Sequence, residues 1–214
     1  MMGGVVLLHG IARTSASMCP LQRALLGAGY AVLNLDYRSR HLTLDALADA
    51  VHAPLERFAG AQSGPVHLVG HSMGGLLART YLARHRPARL GRVVMLGTPN
   101  GGSEVADALR HWPLYRLVFG PAGQQLGTLR NPSVADMLGT VDYPLGIIAG
   151  DQPLSPRLAA LFLPGPNDGK VTVASTRVGG MADHVVLPTS HTRLVGHSLA
   201  IAATLSFLRD GRFQ

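Results

Sequence analysis

The sequence is poor in residues on which several common kinds of protein depend. Cysteine occurs once, at Cys19, so an internal disulfide and a metal site built from several thiolates are both excluded. Aromatic residues make up 5% of the 214 residues and charged residues 14%. No apolar run reaches the ~18 residues that a membrane-spanning helix requires. We therefore expect a globular chain without stable membrane insertion.

Lysine is equally scarce, and this bears on the formal net charge of +7. Lys170 is the only lysine, so scattered arginines supply nearly all of the positive charge. No basic stretch interleaved with aromatic residues is present, which argues against a nucleic-acid partner. We interpret the arginine excess first as composition bias, with weak attraction to anionic lipid surfaces as the alternative.

Apolar residues, by contrast, make up 47% of the chain, and 26 residues are glycine. This composition is typical of a globular α/β protein, and the length suits a single domain over residues 1–214. The opening stretch MMGGVVLLHG predicts a strand rather than a signal peptide. We therefore expect a cytoplasmic protein, unless a leader has been removed, and leave the oligomeric state open.

Strand-like and helix-like stretches alternate along the chain. This alternation predicts an α/β fold with about six mostly parallel strands and helices on both faces of the sheet. Ligands of such sheets bind at the carboxyl ends of the strands. We predict strands over 4–9, 30–36, 66–70, 92–96, 143–150 and 184–187.

The alternation stops between residues 98 and 143, which predicts a small lid inserted above the strand ends. Two interpretations of its apolar residues stay open. They line a pocket for an acyl chain, or they pack the insert onto the body of the domain. For the first interpretation we predict substrate-binding roles for Trp112, Tyr115, Leu117 and Phe119, with Leu114 and Val118 as neighbours.

The stretch 66–77, VHLVGHSMGGLL, predicts a strand, a tight turn and a helix. Ser72 lies at the turn between Gly70 and Gly74, in the pattern G-x-S-x-G. Glycines are needed there because a strained serine at such a turn leaves no room for a neighbouring Cβ. Ser72 is our candidate nucleophile, although from the pentapeptide alone a helix-capping serine is an equally good interpretation.

A serine hydroxyl is too weakly acidic to attack a carbonyl unaided, so a histidine must accept its proton. Among ten histidines, His191 is the best candidate because it follows the last predicted strand, at the same sheet edge as Ser72. His184 should enter that strand from the opposite edge, and His197 lies near the start of the final helix. The tight turn should direct the side chain of His71 elsewhere.

A carboxylate must in turn orient that histidine. Asp168 lies in the turn 166–169, which presents a polar side chain instead of burying it in regular structure. Asp151 is the runner-up, and Asp183 is third because it adjoins His184 at the wrong edge. We therefore predict that Ser72, Asp168 and His191 form the catalytic set.

Two backbone N–H groups are candidates for stabilising the oxyanion that such an attack creates. Met73 follows Ser72 at a helix N-terminus, where the helix dipole favours negative charge. The turn His9-Gly10-Ile11 follows the first strand, and the N–H of Ile11 should face that of Met73 across the reacting carbonyl. We expect His9 to hold this turn rather than to act as a base.

With these residues placed, the chain resembles the α/β-hydrolase superfamily and, within it, the bacterial lipases and esterases. The order nucleophile, acid, base is that of the superfamily. The resemblance implies a minimal α/β-hydrolase fold and the catalytic and oxyanion roles given above. We expect neither a cofactor nor a metal. The matching stretches are HGIARTSASM (9–18), GHSMGG (70–75), LGTPNGGSEVAD (96–107), PNDGKV (166–171) and PTSHTRLV (188–195).

The chain departs from larger bacterial lipases in three ways. It begins directly at the first strand, its lid is short, and it offers no dependable pair of calcium ligands. We therefore expect an ester hydrolase that acts on short to medium acyl chains, with a small-molecule ester or lipid as its substrate. A phospholipase or acyltransferase is the first alternative, because of the positive charge and the apolar lid. A non-catalytic binding protein is the second.

Overall fold

The protein is built around a sheet of six parallel strands. The computed structural model describes residues 3–129 and 132–214. The strand order is β2-β1-β3-β4-β5-β6, which confirms the predicted α/β architecture. Met1 and Met2, which open the stretch that predicts the first strand, lie outside the described residues. The strands are β1 (Gly4–Leu8), β2 (Ala31–Leu35), β3 (Val66–His71), β4 (Leu90–Leu96), β5 (Leu145–Gly150) and β6 (Asp183–Leu187).

Helices connect these strands, as parallel neighbours require. The helix that follows β5 and the insert is a single turn, whereas the final helix has 13 residues. Within the described ranges, none of the helices is both long and apolar enough to cross a membrane. The helices are α1 (Cys19–Gly27), α2 (Leu44–Gly60), α3 (Met73–Arg84), α4 (Glu104–Leu109), α5 (Pro113–Gln124), α6 (Pro132–Leu138), α7 (Pro156–Ala159), α8 (Val173–Thr176) and α9 (Ser198–Asp210).

Hydrophobic cores lie on both faces of the sheet because side chains alternate along each strand. Val5 and Leu7 of β1 belong to the core that contains residues of α1 and α9. Val6 and Leu8 belong to the opposite core, with residues of α2 and α3. All four side chains are fully buried. A strand buried on both faces must be apolar throughout, which is why β1 has no polar residue.

The strand register brings several loops together at one edge of the sheet. Leu8 of β1 pairs with Gly70 of β3, and His71 pairs with Leu96 of β4. On the other side of β4, Gly150 of β5 pairs with Leu187 of β6. The loops that follow these strands therefore leave the sheet side by side at its carboxyl edge.

The predicted insert over 98–143 contains α4, α5 and α6, apart from residues 130 and 131, which lie outside the described part. The buried guanidinium of Arg79 on α3 donates hydrogen bonds to Asn100 Oδ1 at 3.1 Å and to the Gly139 carbonyl at 2.8 Å. These bonds tie both ends of the insert to the same helix. Its role as a lid stays a prediction.

The insert also completes the N-terminus of α2. Thr43 occupies the N-cap position, but its side chain makes no capping hydrogen bond. The Leu44 N–H instead donates to Oε1 of Gln125, at the end of α5, over 2.7 Å. A side chain from the insert thus satisfies one of the helix N–H groups that have no partner within the helix.

Gly74 lies in the tight turn at Ser72, and we expect its replacement to destabilise the protein. A Cβ at this position would lie 2.2 Å from the Leu8 carbonyl oxygen and 2.6 Å from that of His9. Because both contacts are with backbone atoms, relief requires α3 to move away from β1. We expect Gly74→Ala to lower the free energy of unfolding by about 3 kcal/mol, at the upper end for overpacked sites, as measured by urea denaturation.

Gly27, the last residue of α1, provides the matched control. A Cβ there meets no atom within 4 Å, so Gly27→Ala should be neutral or stabilise the protein by up to about 1 kcal/mol. Equal destabilisation by the two substitutions would show that the closeness of β1 and α3 does not govern the effect.

His67 is a buried histidine whose protonation opposes folding. Its Nδ1 accepts a hydrogen bond from the Arg92 N–H at 2.9 Å. Burial, followed by the charge of Arg92, lowers the pKa of His67 to about 4. The unfolded chain takes up this proton near pH 6.5, the ordinary value for histidine. Between those two values, acid therefore favours the unfolded chain.

We expect the free energy of unfolding to be highest above pH 6.5 and to fall by about 3 kcal/mol through His67 as the pH approaches 4. Urea denaturation across this range measures the loss. His67→Gln keeps an acceptor for the Arg92 N–H but cannot titrate, so its stability should depend less on pH. His41→Gln, at an exposed position, is the control, and equal slopes for both variants would contradict the assignment to His67.

Candidate active site

The candidate site begins at the sharp turn between β3 and α3. Ser72 has φ 55° and ψ −126°, a strained conformation for a residue with a Cβ. A Cβ at Gly70 would lie 2.5 Å from the Gly75 nitrogen and 2.6 Å from the Gly74 carbonyl carbon. The glycines on either side of Ser72 are therefore required by close backbone approach, as the sequence predicts. Ser72 itself is 9% exposed.

The structure brings Ser72, His191 and Asp168 together, although they come from distant parts of the chain. His191 Nε2 lies 3.0 Å from Ser72 Oγ, and His191 Nδ1 lies 2.7 Å from Asp168 Oδ2. All three side chains are almost entirely buried. Because Nδ1 faces a carboxylate, it carries the ring proton, which leaves the lone pair of Nε2 directed at the hydroxyl.

The turn that carries Asp168 holds its carboxylate in place. Asp168 Oδ1 accepts hydrogen bonds from the backbone N–H groups of Lys170 at 2.9 Å and Val171 at 2.8 Å. The backbone of the same residue also accepts a bond from the His191 N–H at 2.9 Å. One carboxylate oxygen is thus fixed by the turn, and the other is left for the imidazole.

The competing acids lie elsewhere. Asp151 is exposed, and its backbone N–H donates a hydrogen bond to the Leu187 carbonyl. The carboxylate of Asp183 accepts bonds from the His184 and Phe213 N–H groups at the opposite end of β6. His184 Nε2 in turn lies 2.9 Å from Thr176 Oγ1. Neither Asp151 nor Asp183 contacts the imidazole beside Ser72.

His71 is closer to the site than the sequence reasoning expects. Its ring lines the same cavity as Ser72 and lies 4.9 Å from the His191 ring, centroid to centroid. Its Nε2 lies 3.0 Å from the His191 carbonyl oxygen. Since a carbonyl only accepts, this nitrogen carries the proton. Burial, followed by the charge of His191, lowers the pKa of His71 well below its ordinary value. A neutral His71 therefore holds the backbone that carries His191.

The turn after β1 lies directly against Ser72. A Cβ on Gly10 would lie 3.2 Å from the Ser72 Cβ, and Ile11 lines the cavity beside the hydroxyl. Met73 is the first residue of α3, so its N–H has no acceptor within the helix. The predicted oxyanion donors Ile11 and Met73 thus both border Ser72, and their role stays a prediction.

His9 holds this turn, as we expect from the sequence. Its Nδ1 lies 2.8 Å from the Gly10 carbonyl oxygen, and its ring stacks on Tyr37 with centroids 3.9 Å apart. The Tyr37 hydroxyl donates to the His9 carbonyl. Burial lowers the pKa of His9, so the ring is kept neutral in its structural position.

A cavity of about 250 Å³ opens beside Ser72. Substrate binding by Tyr115 and Phe119, which line it, stays a prediction, whereas Trp112 and Leu117 do not line it. The latter are 62% and 73% exposed, so the structure corrects their assignment to the pocket. Positions 115 and 119 are four residues apart and share one face of α5, whereas position 117 lies on the opposite face. Trp112 is the N-cap residue that precedes the helix.

A second cavity, of about 310 Å³, lies on the His191 side and is not predicted by the sequence. The two cavities share Val105, Leu109 and Lys170 in their walls. Within the described ranges, no group of three His, Cys, Asp or Glu side chains is arranged to hold a metal ion. Apolar side chains around α7 complete the second cavity, namely Leu154, Leu158, Ala159, Phe162 and Leu163.

Comparisons with known proteins identify relatives of this chain. A triacylglycerol lipase of Pseudomonas fragi is 46% identical over 66 residues, which cover 31% of this chain and 21% of the lipase. The match thus spans about a fifth of that relative's length.

Solved structures resemble the whole fold. The mature lipase BlEst2 of Bacillus licheniformis superposes with a TM-score of 0.74 at 20% identity, covering 96% of this chain and 90% of that one. Phospholipase PlaB of Legionella pneumophila gives 0.65 at 18% identity, covering 94% and 58%. At these identities the likeness concerns the fold. A family model described as the alpha/beta hydrolase fold matches residues 4–149, and the chain therefore belongs to the α/β-hydrolase family.

Proposed function

We propose that this α/β hydrolase is a serine carboxylic-ester hydrolase that acts through an acyl-enzyme on Ser72. The observation that carries the proposal is the hydrogen-bonded series from Ser72 Oγ through the His191 imidazole to the Asp168 carboxylate. This series lies at the mouth of a largely apolar cavity. Such an arrangement generates a nucleophile next to a site that accepts an acyl chain.

In the first half of the reaction, Ser72 Oγ attacks the ester carbonyl as His191 Nε2 accepts its proton. The carbonyl oxygen becomes an oxyanion, which the N–H groups of Ile11 and Met73 stabilise. When the tetrahedral intermediate collapses, the bond to the alcohol oxygen breaks and His191 returns the proton to that oxygen. The alcohol leaves, and the acyl group remains on Ser72.

In the second half, water takes the place of the alcohol. His191 accepts a proton from the water, the resulting hydroxide attacks the acyl carbonyl, and the proton passes to Ser72 Oγ as its bond to the acyl group breaks. Asp168 stays ionised and stabilises the imidazolium that forms in each half. The carboxylic acid is released, and the serine is regenerated.

The cavity beside Ser72 suits acyl chains of short to medium length. Its walls include Tyr115, Phe119 and Leu126. The second cavity, on the His191 side, suits the alcohol part, because the leaving oxygen must receive its proton from that side. An alcohol acceptor bound there would turn hydrolysis into acyl transfer, which is the second candidate function.

A panel of p-nitrophenyl esters of increasing chain length tests the proposal. We expect turnover to be highest for short to medium chains and a fluorophosphonate probe to label the protein at Ser72, as read by peptide mass spectrometry. Product analysis with an added alcohol separates transfer from hydrolysis. Absence of both turnover and labelling in the folded protein would instead support a binding protein on a hydrolase scaffold.

A further inference from the structure

The cavity beside Ser72 has an unbalanced set of charges. Arg13 and Lys170 both line it, and no carboxylate is present among the described residues of its wall. The neighbouring cavity contains Asp168, whose two oxygens already bind His191 and the backbone of its own turn. Two cations therefore line this cavity, and Asp168, the carboxylate that attracts Lys170, is already bound to His191 and to its own turn.

A tight turn fixes the backbone that carries Arg13. The Arg13 N–H donates to the Gly10 carbonyl at 3.3 Å, and Ala12 has φ 54°, an uncommon value for a residue with a Cβ. The Ala12 N–H also donates to Ser39 Oγ at 3.2 Å. Strained backbone persists where the surrounding structure holds it, which occurs most often at functional sites.

The backbone that carries Lys170 is fixed as firmly. Its N–H donates to Asp168 Oδ1 at 2.9 Å, and the Gly169 N–H donates to Asn167 Oδ1 at 3.0 Å. Asn167 and Thr172 close the turn as an antiparallel bridge. The two turns therefore present both cations to the same cavity, while their exposed side chains remain available to a ligand.

The electrostatics of the pair agree with this placement. Neither Arg13 nor Lys170 forms an ion pair with any carboxylate in the described ranges, whereas Arg84 and Arg86 on the surface pair with aspartates. Partial desolvation, followed by the charge of Arg13, lowers the pKa of Lys170. Two like charges brought together at a cavity mouth create a positive potential that attracts anions.

We propose that Arg13 and Lys170 form an anion subsite that binds a carboxylate or phosphate on the alcohol part of the substrate ester. The inference rests on the proposed ester hydrolysis and names its substrate class. Lys170 lines both cavities, so an anion on it lies between the acyl side and the His191 side, from which the alcohol leaves. A guanidinium beside an ammonium binds either oxyanion well.

Two matched pairs of esters test the subsite. The first is 4-carboxyphenyl butanoate and its neutral isostere 4-carbamoylphenyl butanoate. The second is 1-octanoylglycerol 3-phosphate and neutral 1-octanoylglycerol. For each pair, the ratio of kcat/KM for the anionic member to that for the neutral member is measured in wild type, in the double variant Arg13→Gln/Lys170→Gln, and in Arg23→Gln. Arg23 is an exposed arginine on α1 that serves as the control for lost charge.

In the double variant we expect the ratio to fall about tenfold for at least one pair, since charge-assisted contacts to an oxyanion are stronger than neutral hydrogen bonds. The pair that responds identifies carboxylate or phosphate as the ligand. In Arg23→Gln the ratio should not change. Turnover with an unchanged ratio in the double variant overturns the subsite alone. If wild type hydrolyses none of the four esters and the probe does not label Ser72, the proposed function is overturned as well.

Discussion

Ser72→Ala is expected to reduce kcat for p-nitrophenyl esters by about 10⁵-fold, because no other group can take the acyl chain from the substrate. The residual rate should come from the oxyanion donors and from binding alone. The His191 imidazole keeps its bond to Asp168 in this variant, so the rest of the site stays formed. Initial rates at saturating ester, together with loss of fluorophosphonate labelling, measure the effect.

The strained backbone at Ser72 provides a second pair of variants, which separates loss of activity from loss of stability. Alanine at position 72 keeps a Cβ at φ 55°, so Ser72→Ala should retain most of the strain. Glycine has no Cβ to strain, so Ser72→Gly should be more stable than Ser72→Ala by about 1 kcal/mol, although it is equally inactive. Ser63→Ala, at an exposed loop position, should behave as wild type. Retention of a tenth or more of the activity by Ser72→Ala would contradict the assignment of the nucleophile.

The sheet and the turn at Ser72 could be predicted because local sequence decides them. β1 and β5 are short apolar runs, and such runs form strands buried on both faces. The glycines around Ser72 are required by steric contacts within a few residues of the turn and with the adjacent strand. The parallel order of the sheet then places the loops after β3 and β6 at one edge, which is why His191 could be chosen over His184.

The face that α5 presents to the cavity could not be predicted in the same way. All the apolar residues of 112–119 are similar in kind, and the helical period alone does not say which side meets the protein. The insert docks through distant contacts, such as the bond from the Leu44 N–H to Gln125. These tertiary contacts direct Tyr115 inward and leave Trp112 and Leu117 exposed.

The role of His71 escaped prediction for a related reason. Its neighbours in sequence predict only that its side chain is not directed at the Ser72 hydroxyl. The carbonyl it binds belongs to His191, which lies 120 residues later in the chain. The second cavity was missed because its apolar residues fall around a single helical turn, α7, too short to show a period.

Asp168→Asn is expected to reduce kcat by about 10⁴-fold, through the proton on His191 rather than through lost packing. The Lys170 and Val171 N–H groups both donate to Oδ1, so an asparagine must place its carbonyl oxygen there. Its NH₂ group then faces His191 Nδ1 and donates to it. The imidazole must carry its own proton on Nε2, and this nitrogen can no longer accept the proton of Ser72.

Asp151→Asn separates this explanation from a general loss of negative charge near the site. Asp151 is exposed, and its substitution removes the same charge without touching the imidazole, so kcat should stay within about twofold of wild type. If Asp151→Asn is the inactive variant and Asp168→Asn is not, the acid is wrongly assigned. Since the amide in Asp168→Asn keeps the bonds to the turn, its free energy of unfolding should change far less than its activity. That contrast is expected only if Asp168 acts by fixing the position of a proton.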